Sequence, residues 1–476
     1  MRAHLQSIDQ LPPLLAAQRL AFDQQGPVSA ELRRERIQAV IDLLVDHHQA
    51  LTEAMDADFG GRHPGFGLMN DVLGSLASLK HARDHLGEWM PNEPRQVFSP
   101  YDQMGAEAWV QYQPKGSVGI IGTWNAPLFT LLSPLACAFA AGNRAVLKPS
   151  EIVPRTAALL AQLIDQRFDP LELAIITGGV EVGQAFASQP FNHLVFTGST
   201  EVGRDIMRRA AEHLVPVTLE LGGKSPVVIG ASADIGEAAR RLAIAKGINA
   251  GQICISPDRV FVPAAQCEEF VRQFSAAFSG LYPSVADNPD LVSIVNQRHL
   301  QRLDGYLAEV RELGVEVVQC PDVAFDAQQR KRPMSLVINP PLSSGIMREE
   351  IFGPALVVLG YSDIRHVLEE INQGERPLAL YYFGSDQAEQ DQVLGHTLSG
   401  GVSINDALMH AAMETAPFGG VGASGMGRYH GREGFLEFSH VRTVYKAAAA
   451  DPRAEWGMLP PYHAGFTGVM QSQITR

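Results

Sequence analysis

The stretch His193-Leu194-Val195-Phe196-Thr197-Gly198-Ser199-Thr200-Glu201-Val202-Gly203 reads as a buried strand running straight into a helix. Glycine at such a junction lets backbone come close to a pyrophosphate, and the first helical turn offers it N–H groups with no partner of their own. The spacing is G-x-x-x-x-G, not G-x-G-x-x-G, and no lysine follows to make a P-loop. Alone, the turn is only a strand–helix junction. Its surroundings decide the matter. Short apolar runs lie at 117–122, 145–148, 173–176, 193–197 and 216–221, with helix-like segments between them. Strands that alternate with helices predict a parallel sheet covered on both faces, with ligands at the carboxyl ends of the strands.

A second α/β series follows. It comprises Val227-Val228-Ile229, a helix leading to Cys254, Val260-Phe261-Val262, Leu356–Leu359 and Leu378–Phe383. Before the first sheet the pattern is helical: Ile37, Val40, Ile41 and Leu44 make one apolar stripe at i, i+3, i+4, i+7. Gly60-Gly61 and Pro64-Gly65 interrupt it, and it resumes from Leu68 to Leu86. Two extended stretches, 102–115 and Phe438–Tyr445, suit pairing with each other or with a neighbouring subunit's sheet.

The bulk numbers narrow the class. The 476 residues suffice for two or three domains, and 46% hydrophobic with 19% charged residues is a globular composition. A net charge of −14 argues against nucleic acid as a partner. The four cysteines, Cys137, Cys254, Cys267 and Cys320, are widely spaced. They suggest no disulfide framework and no metal site, and point to a reducing, cytoplasmic setting. The N-terminal Met1-Arg2-Ala3-His4-Leu5-Gln6 lacks the apolar core of a secretory signal. The charge-free run 116–143 is interrupted by Gly119, Gly122, Asn125, Pro127 and Pro134, so it reads as strand, loop and helix, not as a membrane span.

Chemistry concentrates in two short runs. Gly251-Gln252-Ile253-Cys254-Ile255-Ser256 holds a thiol between apolar residues, and Leu219-Glu220-Leu221-Gly222-Gly223-Lys224 holds a lone carboxylate. A thiol nucleophile with a carboxylate base can make and hydrolyse a thioester. Each has a plainer reading, Cys254 as a core thiol and Glu220 as the ion-pair partner of Lys224. Asn125 in Gly122-Thr123-Trp124-Asn125-Ala126-Pro127 is either a helix cap or an amide that holds an oxyanion. Lys148 and Glu151 end the second strand. Glu151 can accept from a ribose 2′-hydroxyl and repel a 2′-phosphate, favouring NAD over NADP, while Ser150 with Glu151 would also suit a helix start.

Taken together, Leu219–Pro226, Gly251–Cys254, Glu349–Pro354 and Pro417–Gly422 resemble the aldehyde dehydrogenase superfamily, over nearly the whole chain. Gly425-Met426-Gly427-Arg428-Tyr429-His430-Gly431 is similar to its short branch of coniferyl-aldehyde and fatty-aldehyde enzymes. The resemblance implies an α/β fold: a Rossmann-like parallel-sheet cofactor domain (1–101 and 116–220), an α/β catalytic domain (221–424) and a β-hairpin oligomerisation element (102–115 and 425–446), followed by a tail (447–476).

It also implies roles. Cys254 is the nucleophile, Glu220 the base and Asn125 the oxyanion donor. Lys148 and Glu151 hold the adenosine ribose, Ser199 meets the pyrophosphate near Gly198 and Gly203, Glu350 binds the nicotinamide ribose and Phe352 packs beside it. Trp124, Phe129, Ile253, Ile255, Leu408 and Met413 are candidate pocket walls. The implied reaction is NAD-dependent oxidation of an aromatic or long apolar aldehyde to its acid, with NADP a possible substitute and fatty aldehydes the alternative substrates. A cofactor-free thiol hydrolase could use the same Cys254 and Glu220. The implied partner is a small-molecule aldehyde, with no nucleic acid and no membrane, and the implied assembly is a homodimer or dimer of dimers. Thr123 departs from the proline many members have there, and the tail lacks the long apolar helix of membrane-attached relatives.

Overall fold

In the computed structural model, which describes residues 2–323, 325 and 328–476, seven strands form a first sheet. Its order is His4–Leu5, Leu173–Ile176, Arg144–Lys148, Ser117–Ile121, His193–Gly198, Val217–Leu221 and Gly425–Met426. All neighbours run parallel except the last pair. The expected five-strand rhythm is therefore present, with two short strands added at its edges. The chain winds outward from Ser117–Ile121 in both directions, which opens a crevice where the order reverses. The register brings Ile121 beside Lys148 on one side and Phe196 on the other, and sets Thr197 beside Glu220. The carboxyl ends thus present Asn125, Lys148, Ser199 and Glu220 along one edge.

The second sheet has the order Val317–Cys320, Met334–Ile338, Ala355–Tyr361, Arg259–Pro263, Pro226–Ile229, Ala379–Phe383 and Gly401–Ile404. Only the first pair is antiparallel. Three of these strands, Val317–Cys320, Met334–Ile338 and Gly401–Ile404, go beyond the expected series.

The helix Ala30–Phe59 carries the predicted stripe, with Ile37, Val40, Ile41 and Leu44 all buried. Ser29 caps its start by accepting from Leu32 N, and Gly60 ends it in the left-handed region at φ 68°. The helix Pro154–Arg167 corrects an expectation, because Ser150 does not cap it. Its cap comes from Asp58, whose carboxylate accepts from Arg155 N at 3.0 Å and from Thr156 N at 2.8 Å.

The chain divides into two compact units, Met1–Trp89 with Pro114–Ser439, and Met90–Gln113 with His440–Arg476. Both seven-stranded sheets belong to the first. In the second, the two extended stretches pair with each other: Ser439–Lys446 lies beside Glu107–Pro114, which also pairs with Glu93–Arg95. Among the described residues, no helix is long and apolar enough to cross a membrane.

Candidate active site

A helix leads toward Cys254 as expected: Ile235–Gly247 is followed by the short 3-10 turn Ile248–Gly251, and Cys254 lies in the turn after it. Between them Asn249, Ala250 and Gly251 take left-handed φ angles of 50°, 51° and 72°. Such a run is costly for residues with a Cβ, so side-chain bonds must hold it. Gln252, fully buried, donates to Asn249 O (3.0 Å) and Ser293 O (3.1 Å) and accepts from Val295 N (3.0 Å). The Asn249 amide donates to Gln252 O at 3.0 Å and to Asn125 O at 3.3 Å. The Asn125 amide returns a bond to Gln252 O at 3.1 Å. Asn125 is thus no helix cap: it staples the loop after the first strand to the loop bearing the cysteine. A Cβ on Gly251 would lie 2.5 Å from Gly353 O, so the Glu349–Pro354 motif presses on the same loop. Beyond the cysteine, Ile255 O accepts from the Tyr381 hydroxyl at 2.5 Å.

Glu220 is buried, and neither carboxyl oxygen has a hydrogen-bond partner among the described residues. Burial pushes its pKa well above the usual range, and Glu437 adds to the rise. Lys224, the plainer partner, is engaged elsewhere. It pairs with Asp258 and donates to Ile346 O and Glu349 O, both at 2.8 Å. The second oxygen of Asp258 accepts from Ile351 N at 2.9 Å. This fixes the segment around Glu350, whose carboxyl burial raises to about 8 although a Gly223 N–H bond draws it back. A Cβ on Gly222 would sit 2.1 Å from Glu350 Oε2, so the carboxyl occupies the space that glycine leaves. The Cys254 thiol is pushed up to about 12, by burial first and then by Glu350 and Glu220, against the pull of the Cys254 and Ile255 N–H groups. Burial thus favours the neutral form of all three groups, and the two carboxyls oppose a charge on the Cys254 sulfur.

The first sheet's edge suits a dinucleotide. Lys148 is buried with its Nζ 3.0 Å from Pro149 O and 3.4 Å from Glu151. Thr197 Oγ1, on the strand next to that of Glu220, is buried without a hydrogen-bond partner among the described residues. Ser199 caps the helix Thr200–Ala211 by accepting from Val202 N at 3.4 Å, and Gly203 lets that helix close on Leu221, 2.6 Å from where its Cβ would lie. A buried cation, an orphaned hydroxyl and a helix start at a topological switch point fit a pyrophosphate and its riboses.

The proposed pocket walls divide. Ile253 is half-buried beside Cys254, and Leu408 holds a left-handed φ of 70° while its N–H bonds the Tyr381 hydroxyl. Trp124 and Ile255 are buried. Trp124 joins Phe59, Val153, Ala250, Val292 and Val295 in one cluster and meets the Phe352 ring edge-on at 5.3 Å. Phe129 begins the helix Phe129–Ala140 and touches His430 edge-on at 6.0 Å. Met413 is half exposed. Among the described residues, no cluster of three or more His, Cys, Asp or Glu could hold a metal. Sequence reasoning missed Asn249, Gln252, Asp258 and Tyr381. Only the asparagine, a residue tolerant of left-handed backbone, carried a local signal.

The family model described as "Aldehyde dehydrogenase family" matches residues 7–444. The chain is 46% identical to the "Probable coniferyl aldehyde dehydrogenase" of Caulobacter vibrioides, covering 97% of this chain and 96% of that protein. It is 44% identical, with the same coverage, to the coniferyl aldehyde dehydrogenase of Pseudomonas sp. strain HR199. Among solved structures, substrate-bound AldH of Staphylococcus aureus superposes with a TM-score of 0.91 at 32% identity, over 99% of this chain and 100% of that one. An NAD+ complex of a Mycobacterium tuberculosis aldehyde dehydrogenase gives 0.82 at 28%, over 94% and 92%. With the thiol, the buried carboxyl and the dinucleotide crevice in place, the chain belongs to the aldehyde dehydrogenase family.

Proposed function

We propose that this chain oxidises an aromatic aldehyde of the coniferyl type to the carboxylic acid, with NAD(P)+ as oxidant, through a thioester on Cys254. The observation that carries the mechanism is the bare, buried Glu220 carboxyl in the same pocket as the Cys254 thiol. The substrate class rests on the relatives' names.

The chemistry begins with proton movement. Cys254 must lose its proton before attack, because the thiolate is the nucleophile. The carboxylate form of Glu220, with no hydrogen bond to give up, can receive that proton. Sulfur then bonds the aldehyde carbon, and the oxygen takes the negative charge of a thiohemiacetal. We assign that oxyanion to the Cys254 N–H and to the amide hydrogen of Asn125 that does not bond Gln252 O. Bound NAD(P)+ supplies the acceptor for the hydride that leaves the thiohemiacetal carbon. Glu220 then passes the cysteine's proton to solvent, its carboxylate draws a proton from water, the oxygen adds to the thioester carbon, the carbon–sulfur bond breaks to release the acid, and Glu220 returns its proton to the sulfur. A cofactor-free thiol hydrolase would use the same Cys254 and Glu220, so the dinucleotide crevice is what favours this reading over it. Lys148, Glu151, Ser199, Glu350 and Phe352 are the residues we assign to hold it, with Glu151 favouring NAD.

We assign cofactor binding to 1–101 and 116–220, the nucleophile's domain to 221–424, and subunit pairing into a dimer or dimer of dimers to 102–115 with 425–446. The tail is 447–476. A cytoplasmic location agrees with the four free cysteines.

The test is a panel of cinnamyl, benzyl and straight-chain aldehydes with NAD+ or NADP+, following reduced-cofactor fluorescence and the acid by chromatography. Cinnamyl aldehydes should show the highest kcat/KM, and Cys254→Ala should abolish turnover. A preference for straight-chain aldehydes overturns the substrate class, and full activity of Cys254→Ala overturns the mechanism.

A further inference from the structure

Two charged side chains that the reaction does not use lie buried against the loop that bears Asn125. Arg62 and Asp71 are 1% and 0% exposed, and Arg62 Nη2 donates to Asp71 Oδ2 at 2.6 Å. Asp71 sits in a wide π-type turn, Leu68–Leu73, that leads into the helix Gly74–Trp89. Such turns give up regular helical bonding and recur at functional sites. The second oxygen of Asp71, Oδ1, accepts from Leu128 N at 3.0 Å. Leu128 is fully buried and opens the helix Phe129–Ala140, with no side-chain cap of its own.

Arg62 reaches the same loop by another route. Its guanidinium lies over the Phe59 ring, 4.7 Å from the centroid, and Phe59 meets Trp124 at 6.1 Å. The pair thus engages the loop on both sides of Asn125, at Trp124 through Phe59 and at Leu128 directly. Between those points the loop is tied to itself. Thr130 Oγ1 accepts from Thr123 N at 3.1 Å and donates to Ala126 O at 2.9 Å. A loop braced in this way moves as a body, so holding Leu128 holds Asn125.

Stability does not account for a buried ion pair here, because apolar side chains of like volume generally serve a core as well or better. Desolvation of this pair is only partly offset, since Arg62 Nε has no hydrogen-bond partner among the described residues. What an apolar side chain cannot do is accept the Leu128 N–H.

We propose that Asp71, held by Arg62, is a positioning residue that sets where the Asn125 amide meets the oxyanion. This rests on the assignment of that oxyanion to Asn125. Gln252 O and the Asn249 amide fix Asn125 from the cysteine side, and Asp71 fixes its loop from the side of the N-terminal helices. An oxyanion donor works only within about 3 Å of the charge, so a small swing of the loop removes its effect.

Removing one charge alone would strand the other in the core, so the experiment replaces both. Arg62→Met/Asp71→Asn keeps an oxygen for Leu128 N, whereas Arg62→Met/Asp71→Leu has nearly the same size and charge without it. Each is made with Asn125 and with Asn125→Ala. The rate of the first turnover is read as reduced cofactor in stopped flow, with the aldehyde of highest kcat/KM from the panel above. With Asn125 present, the enzyme lacking the acceptor should be slower than its counterpart by about 10-fold or more. With Asn125→Ala the two should agree within about 2-fold, because a residue acting through that amide has nothing left to position. Alkylation of Cys254 by iodoacetamide, which builds no oxyanion, should run at one rate in both. Equal first-turnover rates with Asn125 present overturn the role of Asp71. So does a deficit of the same size in both backgrounds, which marks a general loosening. If Asn125→Ala alone keeps the wild-type rate, the oxyanion assignment falls and this proposal with it. Should Arg62→Met/Asp71→Leu fail to fold, Arg62→Met/Asp71→Ala, smaller and equally without an acceptor, replaces it in the same comparison.

Discussion

Gly251→Ala tests whether the left-handed run before Cys254 sets the position of the sulfur. Gly251 sits at φ 72°, and the new methyl carbon would stand 2.5 Å from Gly353 O. Ordinary contact begins at 3.4 Å, so the two loops must part by roughly 0.9 Å. Gly353 cannot yield easily: its carbonyl is held by Ala355 N at 2.8 Å, and Leu303 packs 2.6 Å from where its own Cβ would be. The displacement therefore falls on the cysteine loop. A shift of about 1 Å at reacting groups costs on the order of 100-fold in rate. Gly314→Ala is the control. Gly314 has φ 74°, but nothing lies within 4 Å of its Cβ position. Both variants should lose about 1–2 kcal/mol of stability to backbone strain, read from urea denaturation. Only Gly251→Ala should also lose about two orders of magnitude in kcat, read from reduced-cofactor formation at saturating substrates. A Gly251→Ala enzyme that matches Gly314→Ala in kcat would refute the claim that this contact positions the thiol.

Three further outcomes follow from the site and its supports. Because burial lifts Glu350 from 4.5 to about 8, its contribution to stability is whole below pH 4.5 and declines as pH rises toward 8. The melting temperature of the cofactor-free protein should fall over that window, and Glu350→Gln should flatten the slope; parallel curves count against the assignment. With its thiol pushed up to about 12, Cys254 in the cofactor-free protein should be alkylated by iodoacetamide at a rate still climbing at pH 10, whereas a plateau near pH 8 contradicts the geometry. Asp58→Ala removes the cap of Pro154–Arg167 and should cost about 1–2 kcal/mol in a urea melt, an unchanged midpoint excluding that role.

How far the sequence could be read depended on the range of the forces involved. The runs 117–122, 145–148, 173–176, 193–197 and 216–221 were legible because a strand covered on both faces must be continuously apolar. His4–Leu5, Glu93–Arg95 and Gly401–Ile404 were not, because two to four residues of mixed polarity owe their pairing to a neighbouring strand and not to their own pattern. Cys254 and Glu220 stood out as single reactive groups among apolar residues. Their surroundings did not, since Gln252 reaches Ser293 and Val295, Asp258 reaches Lys224 and Ile351, and Tyr381 reaches Ile255, contacts between residues 34 to 126 positions apart. The helix leading to Cys254 was legible, but the way it ends was not, for a related reason. The polar bonds of Asn249 and Gln252 hold Asn249, Ala250 and Gly251 in a conformation that no helix contains.

The strand that carries Glu220 receives its outer neighbour from Gly425–Met426, some two hundred residues further along. During synthesis, a ribosome that has not yet passed that point has produced a sheet whose decisive edge is open. Premature termination anywhere before it leaves a chain able to build most of the nucleotide crevice, yet with Glu220, the base we propose, on an unguarded border. Activity is thus tied to completion of translation, and fragments released early would be sticky without being enzymes.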